Sequence, residues 1–236
     1  MAVSLNVDLG ELPGEPEELY SIATMVNVAC GGHAGDEATM ERACELAREA
    51  GARLAAHPSY PDRAGFGRTS ISMTSAELSA SVRAQVEALA RVARRAGISI
   101  EAVKPHGALY HDASRDPAIA AALLEGIAAG LGAKVALVGP PEGALARRAA
   151  AEGRAYLREG FADRAYGPDG ELVPRTQSGA LITDPAEARA QALRLSGAGR
   201  FETLCVHGDT PGALSIARAV REALVSAGQL EARGRS

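Results

Sequence analysis

Residues 25–60 read MVNVACGGHAGDEATMERACELAREAGARLAAHPSY. The run 25–30 is apolar and β-rich, residues 36–50 repeat Ala, Leu, Glu and Arg at helical period, and residues 53–57 are β-rich again. Short run, amphipathic helix and second short run make a βαβ unit, whose crossover joins parallel strands. The same rhythm extends in both directions. Strands are predicted over 4–9, 25–30, 53–57, 100–106, 134–139, 155–161 and 203–207, and helices over 36–50, 75–96, 116–131, 142–151, 184–196 and 211–227. About seven units come close to the eight of a complete (β/α) barrel. The expected fold is therefore α/β: a TIM-like barrel of about seven parallel strands, forming a single domain over residues 1–236.

Local chemistry supports several helix starts. Thr74 followed by Glu77 suits a capping box, and Asp116-Pro117 and Asp184-Pro185 each place a cap before a first-turn proline. Residues 163–179 hold Gly, Pro and charge without a period, which fits an active-site loop or an excursion over the barrel mouth. Residues from Gly228 onward read as a frayed tail.

The chain of 236 residues is 47% hydrophobic and 23% charged, with a formal charge of -4. Nothing in that balance offers a basic field for nucleic acid or a membrane surface. With no signal core behind Met1 and no apolar stretch long enough to span a bilayer, the expected location is the cytoplasm. Cys30, Cys44 and Cys205 lack metal-type spacing and are expected to be buried, reduced thiols. Of 25 cationic residues only Lys104 and Lys134 are lysine, and Asn6 and Asn27 are the only asparagines. Where Arg and Ala fill most positions, such exceptions invite a local explanation.

The unusual polar residues gather at the C-terminal ends of the predicted strands. The first strand ends in Asp8-Leu9-Gly10-Glu11, and the second runs into Gly31-Gly32-His33-Ala34-Gly35-Asp36. The third ends in His57-Pro58-Ser59-Tyr60, the fourth in Lys104-Pro105-His106-Gly107, the sixth near Glu159 and the seventh in His207-Gly208-Asp209. A parallel barrel brings all these ends to one face, where barrel enzymes carry their chemistry. Asp8, His33, His57, His106 and His207 are thus expected to border one cavity.

Blander readings stand beside these. A single His can simply satisfy loop backbone groups, Glu11 can be solvated, and Glu159 can form a structural ion pair. Asp36 and Asp209 can cap the helices that follow them, and His111 reads as a loop residue. Tyr60, Phe66 and Arg68 could form a substrate-covering loop. The glycines of 31–35 lead into a helix N-terminus that can offer N–H groups to an anion. The phosphate-loop, dinucleotide, H-E-x-x-H and G-x-S-x-G patterns do not occur.

Taken in order, the motifs resemble the LamB/YcsF family. The matching segments are Val7 to Glu11, Asn27 to Asp36, Ala56 to Asp62 with Gly65 to Arg68, Val103 to Tyr110, Glu159 to Tyr166, Leu172 to Arg175 and Cys205 to Pro211. Departures are Val7 where the family has Cys, Gly32 where it has an aromatic, and His111 where it has Asn. The resemblance implies a barrel related to glycoside hydrolases and polysaccharide deacetylases. It further implies a role as one component, the A subunit, of an ATP-dependent 5-oxoprolinase, which converts 5-oxo-L-proline, ATP and water to L-glutamate, ADP and phosphate together with subunits B and C. ATP would enter as its Mg2+ complex, and a homo-oligomer is compatible with that arrangement.

An unactivated lactam is a poor electrophile, so such a site needs a base for water, donors for developing charge and an acid for the departing nitrogen. The expected catalytic group is Asp8 or Asp209 as base, Lys104 with Arg68 as cationic stabilisers, and His106 or His207 as acid. Glu11, Asn27, His33, Asp36, His57, Tyr60, Arg68, Glu159 and Arg175 are expected in substrate binding. Two other readings stay open: a stand-alone metal-dependent deacetylase using Asp8 with some of His33, His57 and His106 as ligands, and a noncatalytic substrate-binding subunit.

Overall fold

The computed structural model describes residues 2–233; residue 1 and residues 234–236 of the expected 1–236 domain lie outside the described residues. Seven strands close a parallel barrel in sequence order: β1 (Ser4–Leu9), β2 (Met25–Ala29), β3 (Arg53–His57), β4 (Ile100–Val103), β5 (Ala136–Gly139), β6 (Tyr156–Phe161) and β7 (Thr203–His207). β7 pairs back onto β1, with Asp8 opposite His207, while on the other side Asp8 sits opposite Asn27 of β2. The helices are α1 (Glu18–Ile22), α2 (Glu37–Ala50), α3 (Ser75–Ala96), α4 (Gly107–Arg115), α5 (Pro117–Leu131), α6 (Ala144–Ala151), α7 (Pro185–Gly197) and α8 (Ala213–Ser226). None is long and apolar enough to cross a membrane.

Strand alternation sorts the side chains into two cores. Leu5, Val7 and Leu9 join Val26, Val28, Leu54, Val103, Leu137 and Val206 in an outer core against the helices. The alternate positions face the barrel axis, where Met25, Ala55, Ala102 and Val138 make a small apolar cluster. Asn6, Asn27, Glu159 and Thr203 supply polar atoms beside it. Strands buried on both faces read as continuous apolar runs, and that is why the exceptions, Asn6, Asp8 and Asn27, mark the axis.

Thr74, Asp116 and Asp184 cap α3, α5 and α7 as their sequences predict. β4 is shorter than expected, because Pro105 has no N–H for the ladder. The Lys104 amide still donates to the Ala56 carbonyl, and that of His106 to Pro58. His111, expected in a loop, lies on α4. That helix can start directly after His106 because Gly107 takes a φ of 56°, and a Cβ there would meet the Gly67 carbonyl oxygen at 2.4 Å. The expected fraying from Gly228 is also corrected. Val3 and Leu230 form a parallel bridge, Arg53 pairs with Glu231 at 2.7 Å, and Arg233 donates to the Ala50 carbonyl. Residues 163–179 make the excursion over the mouth, stapled by the antiparallel bridges Arg164 to Leu181 and Tyr166 to Leu172.

Candidate active site

At the axis, β1, β2, β6 and β7 and the residue that follows β4 build one buried polar centre. The Lys104 ammonium donates to Asp8 Oδ1 at 2.8 Å and Oδ2 at 3.1 Å, and lies 2.9 Å from Glu159 Oε1 and 3.1 Å from Cys205 Sγ. Asn27 Nδ2 donates to Asn6 Oδ1 and Asp8 Oδ1, both at 2.7 Å, and Asn6 Nδ2 donates to Glu159 Oε1 at 3.0 Å. Burial alone would raise the Asp8 carboxyl, but the charges of Lys104 and His57 hold it well below its ordinary range. Burial likewise works against the Lys104 ammonium, and Asp8, Cys205 and Glu159 more than offset it, so its pKa is raised. Asp8 is anionic and Lys104 cationic at neutral pH.

Beside this centre the loops after β1, β2, β3 and β4 converge. His33 Nε2 lies 2.9 Å from Glu11 Oε1, His106 Nδ1 is 3.2 Å from that same oxygen, and His57 Nε2 is 3.0 Å from His106 Nδ1 and 3.5 Å from Asp8 Oδ2. His33 stacks on His106 with ring centroids 3.7 Å apart. Burial pushes His33 down to about 4 and His106 below its ordinary value; burial works against a charged His57 too, but the charge and hydrogen bond of Asp8 together with the charge of Glu11 raise it. Burial works against the Glu11 carboxylate too, yet the adjoining His106 and His33 lower its pKa. Phe66 holds a φ of 55°, unusual for a non-glycine residue, and its carbonyl accepts from His106 Nε2 at 3.0 Å. Such strain, about 1–3 kcal/mol, persists where neighbours enforce it. The donor atoms of Glu11, His33, His57 and His106 lie within 4.8 Å of one another and could hold a metal ion, as could those of Asp8, Cys205 and His207.

The mouth is cationic. A cavity of about 430 Å³ is lined by Asp8, His57, Lys104, His106 and His207 at its floor and by Arg68, Arg115, Arg164 and Arg175 above them. His207 Nδ1 donates to Asp163 at 3.0 Å, and Thr210 donates to the same carboxylate at 2.6 Å, so Nε2 is the nitrogen left for a substrate. Arg68 pairs with Asp209, and Arg175 Nη1 lies 3.6 Å from the same carboxylate.

Of the residues expected from sequence, Asp8, Glu11, Asn27, His33, His57, Lys104, His106 and Glu159 form one connected cluster. His33 stands behind His106 and Glu11 and does not line the cavity. Three residues take other positions. Asp36 is exposed and caps α2 through the Thr39 amide, so its carboxylate is engaged by its own helix. Tyr60 is buried and donates to Asp112 at 3.1 Å, which removes it from the expected covering loop. Asp209 holds mouth arginines and neither caps α8, whose N-cap is Gly212, nor reaches the axis. Sequence reasoning missed Asp163, Cys205, Arg115 and Arg164 as site residues; the rarity of asparagine was a signal for Asn6.

His111 also lines the cavity, and burial followed by Arg115 and Arg164 presses its pKa down to about 4. Its unfolded value is near 6.5, so between pH 6.5 and 4 the unfolded chain binds the proton and stability falls as pH falls. The stability lost across that window is expected to be smaller in His111→Asn. Thermal midpoints at pH 4.5 and 7 check this, and an unchanged difference between the two pH values counts against it.

The model of the LamB/YcsF family matches residues 3–233. A protein of Streptomyces avermitilis, named as the A subunit of 5-oxoprolinase, is 43% identical, over 96% of this chain and 97% of its own. One of the same name from Methylococcus capsulatus is 44% identical over 96% and 93%. The crystal structure of a lactam utilization protein from Thermus thermophilus superposes with a TM-score of 0.91 and 36% identity, covering 99% of this chain and all of that one. With the family match spanning the barrel from Val3 to Arg233, the chain belongs to the LamB/YcsF family.

Proposed function

We propose that the chain is the A subunit of a cytoplasmic 5-oxoprolinase and that, with subunits B and C, it opens 5-oxo-L-proline to L-glutamate at the expense of ATP. The observation that carries the reading is the cavity, which places an anionic Asp8 and a cationic Lys104 beneath a ring of arginines. Its relatives' names point to the same reaction class. 5-Oxoproline is a small anion, and its carboxylate suits Arg164 or Arg175, since guanidinium groups match carboxylates bidentately. Its amide carbonyl would then reach the floor.

Transfer of a phosphoryl group from MgATP to the lactam oxygen makes the ring carbon electrophilic. The mouth arginines and Lys104 bear the negative charge. Asp8 takes a proton from water as its oxygen bonds to that carbon. The proton taken by Asp8 passes by way of the neighbouring His207 Nε2 to the ring nitrogen as the C–N bond breaks, leaving γ-glutamyl phosphate. A second water converts this to glutamate and phosphate.

The test is glutamate formation from 5-oxoproline and ATP with each subunit omitted in turn. Glutamate is expected only from the complete set, with neither appreciable ATP hydrolysis nor ring opening by this chain alone. ATP-dependent glutamate release by the isolated chain, or full activity of the others without it, overturns the division of labour.

A further inference from the structure

The three histidines beside Asp8 present a problem of lone pairs. His57 Nδ1 lies 2.7 Å from the Lys104 carbonyl oxygen, so that nitrogen carries hydrogen and donates. His106 Nε2 lies 3.0 Å from the Phe66 carbonyl oxygen and must donate as well. In neutral imidazoles the remaining nitrogens, His57 Nε2 and His106 Nδ1, are bare acceptors. Those two atoms face each other at 3.0 Å, and both face Glu11 Oε1, at 3.6 Å and 3.2 Å. Three lone pairs pointing at one another in a buried space repel unless a positive species sits between them.

The spacing fits a metal ion. Ligands about 2.0–2.1 Å from a tetrahedral centre stand about 3.3 Å apart, and the three edges here run from 3.0 to 3.6 Å. The rings of His57 and His106 are perpendicular, at 88°, so an ion can lie in both ring planes. His33 is different. Its ring is parallel to that of His106 within 2° at 3.7 Å, so an ion in the plane of one is out of bonding reach in the plane of the other. His33 Nε2 instead donates to Glu11 Oε1 at 2.9 Å and orients the carboxylate.

Charge leads to the same place. Asp8, Glu11 and Glu159 are buried carboxylates, and Lys104 is the ammonium set among them. Three buried carboxylates beside one ammonium are costly unless further positive charge, a metal ion or a proton on a histidine, is present.

We propose that His57 Nε2, His106 Nδ1 and Glu11 Oε1 bind one divalent first-row transition ion, with His33 as the supporting donor. Two imidazoles and a carboxylate suit Zn2+ or a near neighbour. His57 and His106 line the cavity, so the remaining coordination positions open toward it beside Asp8. A substrate oxygen or a water bound there would be polarised within reach of that carboxylate. The site is read from donor geometry and charge and stands apart from the lactam reading.

The experiment uses the full chain without an affinity tag, stripped with a chelator and titrated with Co2+ and Zn2+. Calorimetry gives the stoichiometry, and the visible d–d spectrum of Co2+ reports the ligands. About one equivalent is expected to bind. Glu11→Gln and His106→Asn are expected to weaken binding by more than about 100-fold, beyond the range usual for supporting residues, while His33→Asn weakens it about 10-fold and keeps the spectrum. Circular dichroism confirms folding, and the near-isosteric Glu11→Gln carries the test if His106→Asn does not fold. Failure of the wild-type chain to bind either ion overturns the proposal and leaves a proton shared between His57 and His106. Unchanged affinity in folded Glu11→Gln also overturns it, and loss of the Co2+ spectrum in His33→Asn overturns the ligand assignment.

Discussion

Replacing Asp8 by Asn is expected to lower glutamate formation by the assembled enzyme about 10³-fold, within the range ascribed to a general base. The amide keeps the shape of the carboxylate and can still accept from Lys104 and Asn27, which now donate to Asp8 Oδ1 at 2.8 and 2.7 Å. What it loses is the ability to take a proton from water. Lys104 retains Glu159 as a partner at 2.9 Å, so the variant should fold, and its thermal midpoint checks that. Asp209→Asn is the comparison. Its carboxylate pairs with Arg68 and Arg175 at the mouth, and its loss is expected to cost less than about 10-fold, in line with a group that takes no proton in the reaction. If Asp209→Asn proves as damaging as Asp8→Asn, the base has been placed on the wrong strand.

Lys104→Arg is expected to reduce the same activity by about 10²-fold or more, the scale of losing one donor to developing charge. The compact ammonium reaches Asp8, Asn6, Glu159 and Cys205 within 2.8 to 3.3 Å, on a stem that is fully enclosed. A planar guanidinium is larger, and its fork cannot reproduce contacts that radiate from one point. The charge is kept, so the neighbouring carboxylates stay compensated and the barrel should remain folded. Lys104→Met, by contrast, strips that compensation and should destabilise the chain by about 3–5 kcal/mol. Lys134 is exposed ahead of β5, and Lys134→Arg should change nothing. Equal activity of Lys104→Arg and Lys134→Arg with subunits B and C present would take Lys104 out of the mechanism.

The barrel was legible because its cause is local. Short apolar runs separated by capped amphipathic helices can bury both strand faces in few ways, and Thr74, Asp116 and Asp184 set helix starts through contacts within three residues. α4 was not legible. It depends on Gly107 adopting a positive φ beneath the Gly67 carbonyl, a loop forty residues away in sequence, and no periodicity records that. The docking of Leu230 on Val3 escaped for the same reason: a frayed tail and an added bridge have similar composition.

Sequence alone determined that Asp8, His33, His57, Lys104, His106 and His207 would gather at one end of the molecule, because parallel strands bring all their C-terminal ends to one face. Tertiary structure alone decided what each does there. It put Lys104 between Asp8 and Glu159, stacked His33 behind His106, turned Asp209 out to the arginines, closed Asp36 onto Thr39 and brought in Asp163 to hold His207. Position along a strand sets the height of a side chain on the barrel. Its partner is set by the register of neighbouring strands and the path of the loops, which arise from packing across the whole chain.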